Sequence, residues 1–392
     1  MEESMVGRLF INSEQIGDYV TVMAPLHRAG GEEEIRIHYL EAGVGEPLLL
    51  IHGIGQSLYT WRRVFAELSE SYRVIALDLP GHGYSARPES FCYSMDEMAD
   101  LLHAFLEAKD IRSAHMIGFS TGAMYMLRLL TLYPECVANC IAIAPGGITR
   151  QMPGLIKDLQ SPVKAVFARN LYSASNVKKL LHECVYDQTC MDDRAVRQYY
   201  QPISDGLTRE ALMYAVQNFD MRYVTDGLRE VDHEVLLLWG KEDRWHSANN
   251  SVFFQGILQN GRYFLIRNAG HIVQEDTPGK LLEVILSYIP PAAPVYRRRR
   301  RPAQPVRQPA PAQEPVRPAP RTADRPQQRP VQPGQRPYGR PVQPGQQGAQ
   351  PQGQRPYGRP VQPGQQGAQP QGQRPYGRPV QPGQQGAQPQ GQ

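Results

Sequence analysis

An α/β fold, with a mostly parallel sheet covered by helices on both faces, is what the first 290 residues of this 392-residue chain predict. Two observations carry that prediction. Short, continuous apolar runs (PLLLI at 47–51, CIAIA at 140–144, EVLLLW at 234–239) read as strands buried on both faces, because a half-exposed strand would alternate. Helical spacings separate many of these runs, and strands that alternate with helices close into a parallel sheet. A third observation joins fold to chemistry. Gly118-Phe119-Ser120-Thr121-Gly122 is G-x-S-x-G, placed between an apolar segment (113–117) and a helical pattern (123–132). A strand that turns sharply into a helix lifts one serine above the sheet edge, and glycines are needed where side chains would clash in so tight a turn.

Taken in order, EIRIHYL (34–40) alternates and reads as a strand; 47–51 is the first buried strand, and 58–68 has helical spacing. YRVIALDL (72–79) is a further buried strand. Ser94-x-x-Glu97 is a capping box that opens a helix through about Leu106. The strand before Ser120, its helix and the strand at 140–144 follow. From 147 to 229 the rhythm breaks: the pattern is mostly helical, with many aromatics and methionines and no clear strand. That stretch reads as a cap inserted between two sheet strands. EVLLLW, YFLI (263–266) and a helix over 279–288 complete the body.

Residues 291–392 differ in kind. They are almost entirely Pro, Gln, Gly, Ala and Arg, and GQRPYGRPVQPGQQGAQPQ recurs with a period of 19 from Gly334, Gly353 and Gly372. Too few apolar residues are present to bury a core, so a low-complexity, disordered tail is expected. The tail holds 16 Arg and two acids, leaving the body 26 basic and 36 acidic residues; the net charge of +4 hides this asymmetry. Five consecutive arginines (297–301) and the Arg-Tyr pairs of the repeats read either as a solubilising start to a disordered arm or as weak, multivalent contact with an anionic partner: nucleic acid, acidic polymer or membrane surface. Cys92, Cys136, Cys140, Cys184 and Cys190 are odd in number and lack C-x-x-C spacing, so reduced thiols are expected. No signal peptide and no transmembrane run is legible, and a cytoplasmic location is expected.

An acyl-transfer serine needs a base, a group that orients the base, and donors for the oxyanion. His271, in NAGHIVQEDTP, follows a late strand, and Asp243, in LLLWGKEDRW, follows the strand before it. The order Ser120, Asp243, His271 is that expected when the serine follows a central strand and its partners follow later ones. Glu242 is the adjacent alternative acid; the loop after 140–144 reads Pro145-Gly146-Gly147 and offers no carboxylate. His52-Gly53-Ile54-Gly55 follows PLLLI, and the backbone N–H groups of Ile54 and Thr121 are the candidate oxyanion donors.

The set HGIGQS (52–57), DLPGHGYSARP (78–88), GFSTG (118–122), WGKEDRW (239–245) and NAGH (268–271) resembles the α/β-hydrolase superfamily over roughly residues 35–289. The resemblance implies an eight-stranded sheet with a helical cap, Ser120, Asp243 and His271 as the triad, and no metal or organic cofactor. It implies that the His52 ring supports the oxyanion loop. His82, Asp78 and Arg87 are expected to fix the loop that carries them, and Trp61 to be core. Serine at the elbow separates the chain from the haloalkane dehalogenases, which place aspartate there. GFSTG is similar to the elbow of the cofactor-free haloperoxidases, which behave as esterases and perhydrolases; DLPGHGYS is similar to capped C–C bond hydrolases of aromatic degradation and to several carboxylesterases. Fold does not set substrate. The expectation is a serine hydrolase of a small to medium, mostly apolar ester or related acyl compound. C–C bond hydrolysis, and a non-catalytic protein docked by its basic tail, remain as alternatives. Met152, Phe167, Tyr172, Tyr199, Tyr200, Met213 and Tyr214 are candidates either for a pocket lining or for the cap's own core.

Overall fold

The computed structural model describes residues 17–146, 173–220 and 222–291. The tail with its repeats and arginine run, and residues 147–172 of the insertion with Met152, Phe167 and Tyr172, lie outside the described residues. Eight strands form one sheet: β1 (Asp18–Pro25), β2 (Glu32–Ala42), β3 (Pro47–Ile51), β4 (Arg73–Leu77), β5 (Ala114–Phe119), β6 (Val137–Ile143), β7 (Glu234–Gly240) and β8 (Asn260–Ile266). Their spatial order is β1-β2-β4-β3-β5-β6-β7-β8. β2 runs antiparallel to β1 and β4, and the remaining neighbours are parallel. The apolar runs take the middle of the sheet: every residue of β5 is buried, as are Leu48 to Ile51 of β3.

Three details differ from the sequence expectation. β1 is an additional strand, an edge element in which Val22 and Ala24 face the core while Met23 is exposed. The helix expected over 58–68 is two pieces, a 3-10 turn at Leu58–Trp61 and a short helix α1 (Phe65–Ser69). All four residues of the turn are buried, which a helix with one inward face cannot arrange. The capping box of α2 (Met95–Ala108) is half made: Ser94 accepts from the Glu97 N–H at 3.3 Å. The Glu97 carboxylate instead accepts from the backbone of Cys92 (2.6 Å) and His27 (2.8 Å), tying two loops to the helix start.

After β5 comes α3 (Thr121–Leu132), which packs against α2 and the sheet. Between β6 and β7 the described residues form α4 (Ala174–Cys184), α5 (Asp193–Ile203), α6 (Gly206–Gln217) and α7 (Arg222–Leu228), with no strand. α8 (Ser251–Gln255) precedes β8, and α9 (Val273–Asp276) and α10 (Pro278–Tyr288) follow it. Among the described residues no helix is long and apolar enough to cross a membrane.

The strand order places the site. From β3 the chain steps to β4 on one side, and β5 lies on the other, so the connections diverge between β3 and β5. In a parallel sheet the crevice beyond the carboxyl ends of two such strands is where ligands fit. His52 to Gln56 leave β3 there, and Ser120 leaves β5 there.

Candidate active site

Ser120 has φ 54° and ψ −117°, a conformation that costs a non-glycine residue about 1–3 kcal/mol. The surroundings hold it. Its N–H donates to the Ile143 carbonyl at 2.9 Å. A Cβ at Gly118 would lie 2.5 Å from the Cα of Ala123, and one at Gly122 would lie 2.2 Å from the His52 carbonyl. Both glycines are therefore required by the close approach of the turn to its neighbours.

His271, on the loop after β8, lies with Nε2 3.1 Å from Ser120 Oγ and Nδ1 2.9 Å from Asp243 Oδ2. All three residues are buried. Asp243 Oδ1 accepts from the backbone N–H groups of Trp245 and His246, each at 2.8 Å, so both oxygens are engaged. Glu242, the adjacent acid, turns away: its carboxylate accepts from the Ala269 N–H at 3.1 Å. The His271 ring packs against Phe119 at 4.9 Å, His246 at 5.0 Å and Trp245 at 5.9 Å between centroids, which fixes its plane. Ser120, Asp243 and His271 are thus brought together in hydrogen-bond order from three strand ends.

Ile54 lies in the wall of the pocket beside Ser120, and Thr121 opens α3, where the first N–H groups have no acceptor within the helix. Gly53 lets this loop reach the serine: a Cβ there would stand 3.1 Å from the Ser120 Cβ. The loop is pinned from behind. His52 Nδ1 donates to the Gly53 carbonyl at 2.8 Å while Nε2 accepts from the Leu79 N–H at 3.0 Å. Burial lowers its pKa, which favours the neutral ring, and the two bonds set its tautomer. Asp78 accepts from the N–H groups of Leu58 (2.7 Å) and Tyr84 (3.0 Å) and from His38 Nδ1 (2.8 Å). Burial would raise its carboxyl, but the hydrogen bond and charge interaction with His38, the nearby His52 and the Leu58 N–H together outweigh it and hold the pKa low. Burial and the nearby His52 push His82 down to about 3. Arg87 reaches further than its own loop: besides the Ser85 and Gly83 carbonyls it donates to Thr208 Oγ1 at 2.8 Å and pairs with Asp205 at the start of α6. Trp61 is fully buried in the core.

A cavity of about 130 Å³ among the described residues opens onto Ser120 and His271. Its far wall comes from the inserted helices: Val177 and Leu181 of α4, Ile203 of α5, Leu212 and Val216 of α6. Of the candidate lining residues, Tyr199 is in the wall, Tyr200 packs against the core, Met213 is half-buried and Tyr214 is exposed. Sequence patterns did not single out Gln56, Cys184 or Trp245, which also line it. Gln56 had a local signal, a polar residue directly after H-G-x-G. Cys184 depends on how the insertion docks, and Trp245 on how the loop after β7 turns around Asp243. All five cysteines are unpaired, and burial raises the Cys184 thiol well above its ordinary range.

The docking converges on the loop after His271. The Tyr199 hydroxyl donates to Glu275 Oε1 at 2.7 Å and lies 3.0 Å from Thr60 Oγ1, and Arg62 pairs with the same carboxylate. Asp276 accepts from the N–H groups of Tyr186, Asp187 and Gly270. Ile272 N–H donates to the Cys184 carbonyl at 3.1 Å, and a Cβ at Gly270 would lie 2.7 Å from that oxygen.

A family model described as the alpha/beta hydrolase fold matches residues 46–278. An uncharacterized hydrolase of Bacillus subtilis is 26% identical over 64% of this chain and 92% of its own length. The 2-hydroxy-6-oxo-6-(2'-aminophenyl)hexa-2,4-dienoic acid hydrolase of Metapseudomonas resinovorans is 27% identical over 69% of this chain and 91% of its own. Among solved structures, a meta-cleavage product hydrolase from Pseudomonas fluorescens superposes with a TM-score of 0.57, at 22% identity, over 69% of this chain and 97% of that one. A strained serine after the central strand, a histidine and an acid at the ends of later strands and a family match across most of the body agree: the chain is a hydrolase of the α/β-hydrolase fold family.

Proposed function

We propose that the protein is a serine hydrolase that cleaves a small to medium, mostly apolar ester or related acyl compound through an acyl-enzyme. The observation that carries this reading is the continuous chain Ser120 Oγ, His271 Nε2, His271 Nδ1, Asp243 Oδ2 at 3.1 and 2.9 Å, opening on an apolar cavity. His271 takes the Ser120 proton as Oγ attacks the carbonyl, Asp243 holds the imidazole's tautomer and its transient charge, and the N–H groups of Ile54 and Thr121 receive the oxyanion. The leaving alcohol takes the proton back; water, deprotonated by His271, then releases the acid and frees the serine. A cavity near 130 Å³ compares with the roughly 150 Å³ that accepts benzene, which favours a compact apolar group.

The test is an aryl-ester series of rising acyl length, with wild type compared to Ser120→Ala. Serine-dependent turnover that peaks at one length supports the reading; equal rates in both proteins remove it. A second reading, C–C bond hydrolysis of a ring-cleavage product, is favoured by relatives whose names are dienoate hydrolases. The same three side chains serve it, and faster turnover of such a product than of any aryl ester would select it. A fluorophosphonate probe that leaves the folded protein unlabelled would point instead to a non-catalytic protein. We further infer that the Arg-rich tail docks the enzyme weakly to an anionic partner. Truncation at 291 then leaves kcat/KM unchanged and lowers retention on an anionic matrix; collapse of activity on truncation would overturn that assignment.

A further inference from the structure

Arg87 binds more than the loop that carries it. Nη1 donates to the Ser85 carbonyl at 2.7 Å and Nη2 to the Gly83 carbonyl at 2.6 Å, which locks the plane of the guanidinium. Nε is then aimed at the first turn of α6: it lies 2.8 Å from Thr208 Oγ1 and 2.9 Å from Asp205 Oδ2. Thr208 is 1% exposed, so its hydroxyl needs a partner inside the protein. Asp205 is the N-cap residue of α6, a place where Asp ordinarily accepts from the helix's own N–H groups. Here its side chain makes no such bond. The carboxylate is turned to Thr208 Oγ1, at 3.4 Å, and to Arg87 instead. Local rules of this kind are broken chiefly where a function requires it.

The grip lies at a corner of the insertion that faces the nucleophile. α5 ends at Ile203 and α6 begins at Gly206, so Asp205 stands in the turn between them. Both helices line the cavity, α5 through Tyr199 and Ile203 and α6 through Leu212 and Val216. A Cβ at Gly55, next to Ile54, would be 3.8 Å from Ile203 Cδ1 and 4.0 Å from Leu212 Cδ1. These two side chains therefore stand against the loop that carries a candidate oxyanion donor. Further along α6, Ala211 packs so closely on the Arg87 loop that a Cβ at Gly81 would be 2.5 Å from its own. Just past the helix, Asn218 donates to the Cys92 carbonyl at 2.7 Å. Arg87 is the fastening at the start of α6, where it meets α5. Outward movement of that corner, which would enlarge the cavity, has to stretch the bonds of Arg87 to Thr208 and Asp205.

We propose that Arg87 is a positioning residue that sets specificity: through Thr208 and Asp205 it holds the α5–α6 corner, and with it Ile203 and Leu212, against the oxyanion loop, so that only a compact apolar group fits beside the carbonyl that Ser120 attacks. The substrate class is thereby narrowed to acyl compounds whose apolar group in the cavity is no larger than about one aromatic ring. Bulkier groups are excluded by where the corner is held, not by the chemistry of the serine. The inference rests on the serine-hydrolase reading only in requiring Ser120 as nucleophile.

Two fluorophosphonates test it, alike except that the group on phosphorus is ethyl in one and naphthyl in the other. Labelling rates, each divided by the probe's own rate of hydrolysis in buffer, are compared in wild type, in Arg87→Met and in the double variant Asp205→Ser with Thr208→Val. Wild type is expected to favour the ethyl probe by about tenfold. Arg87→Met keeps most of the side chain's bulk and removes all of its bonds. The double variant leaves Arg87 on the Ser85 and Gly83 carbonyls and cuts only its hold on α6, while serine still caps the helix. Each should lower the ratio by about threefold or more, through faster labelling by the naphthyl probe. A wild-type ratio near one overturns the proposal, and so does a ratio that the double variant leaves intact, since Arg87 would then act on its own loop alone. An equal change with both probes, the mark of a residue that only braces the fold, overturns it too. If Arg87→Met does not fold, the double variant decides. Wild-type protein that shows the ratio but turns over no aryl ester would sink the ester reading and leave the role of Arg87 standing; wild-type protein labelled by neither probe would sink both.

Discussion

A serine at φ 54° is held by its bond to the Ile143 carbonyl and by the close approaches at Gly118 and Gly122. Gly122→Ala puts a methyl 2.2 Å from the His52 carbonyl, on the loop that carries Ile54. We expect this single carbon to lower the denaturation midpoint and remove activity together, since overpacking by one carbon typically costs about 1–3 kcal/mol. Asp243→Asn separates the two effects. The amide cannot accept from both Trp245 and His246 through one oxygen and also from His271 Nδ1 through the other, so the imidazole loses its tautomer while the fold remains. A fall in kcat of about ten-thousandfold with little change in melting temperature is expected. The convergence of Ser120, Asp243 and His271 was legible in the sequence because each follows a strand signal within a few residues. The pinning of Asp243 Oδ1 by the Trp245 and His246 N–H groups was not, because the turn that aims them is a property of the folded loop.

At the scale of elements, the inserted helices are fastened by polar groups that differ in worth. Tyr199→Phe removes one hydroxyl, yet Glu275 keeps Arg62 and Thr60 keeps Gln274, so a loss of only about 1 kcal/mol in urea denaturation is expected. Glu275→Ala leaves Arg62, 16% exposed, without its carboxylate, and about 3–5 kcal/mol is expected. If the two variants melt alike, the fastening lies elsewhere. The strands were legible where runs were apolar throughout; β1 escaped because an edge strand shows half its side chains to solvent. The break after Trp61 escaped because nothing local announces that Leu58 to Trp61 are all buried; Asp78, twenty residues on, and Tyr199, far beyond, make that environment.

For the molecule as a whole, neutral buried histidines set an acid limit. His82 and His246 stand at about 3 and 4, below the ordinary 6.5. Between those values and 6.5 the unfolded chain binds more protons than the folded one, so stability rises with pH across that window and is lost as pH falls through it. The shifts correspond to an order of 3 kcal/mol for His246 and 5 for His82. Asp78, with its lowered carboxyl, loses stability in the same direction at still lower pH. The urea midpoint should therefore drop steeply between pH 6.5 and 4; a flat profile there would mean that these rings are not held neutral. The class of the fold was legible from the alternation of strands and helices. The strand order was not, because it is set by which crossover packs on which face, a property of the assembled sheet.

Ser120 and His271 are 151 residues apart in the chain. During synthesis at about 5–20 residues per second, the serine emerges about 8–30 s before its base has been translated. On the proposed mechanism, the nascent polypeptide carries an ordinary hydroxyl rather than a nucleophile throughout that interval. On that mechanism, a product that terminates between them lacks the base and yields no stray hydrolase.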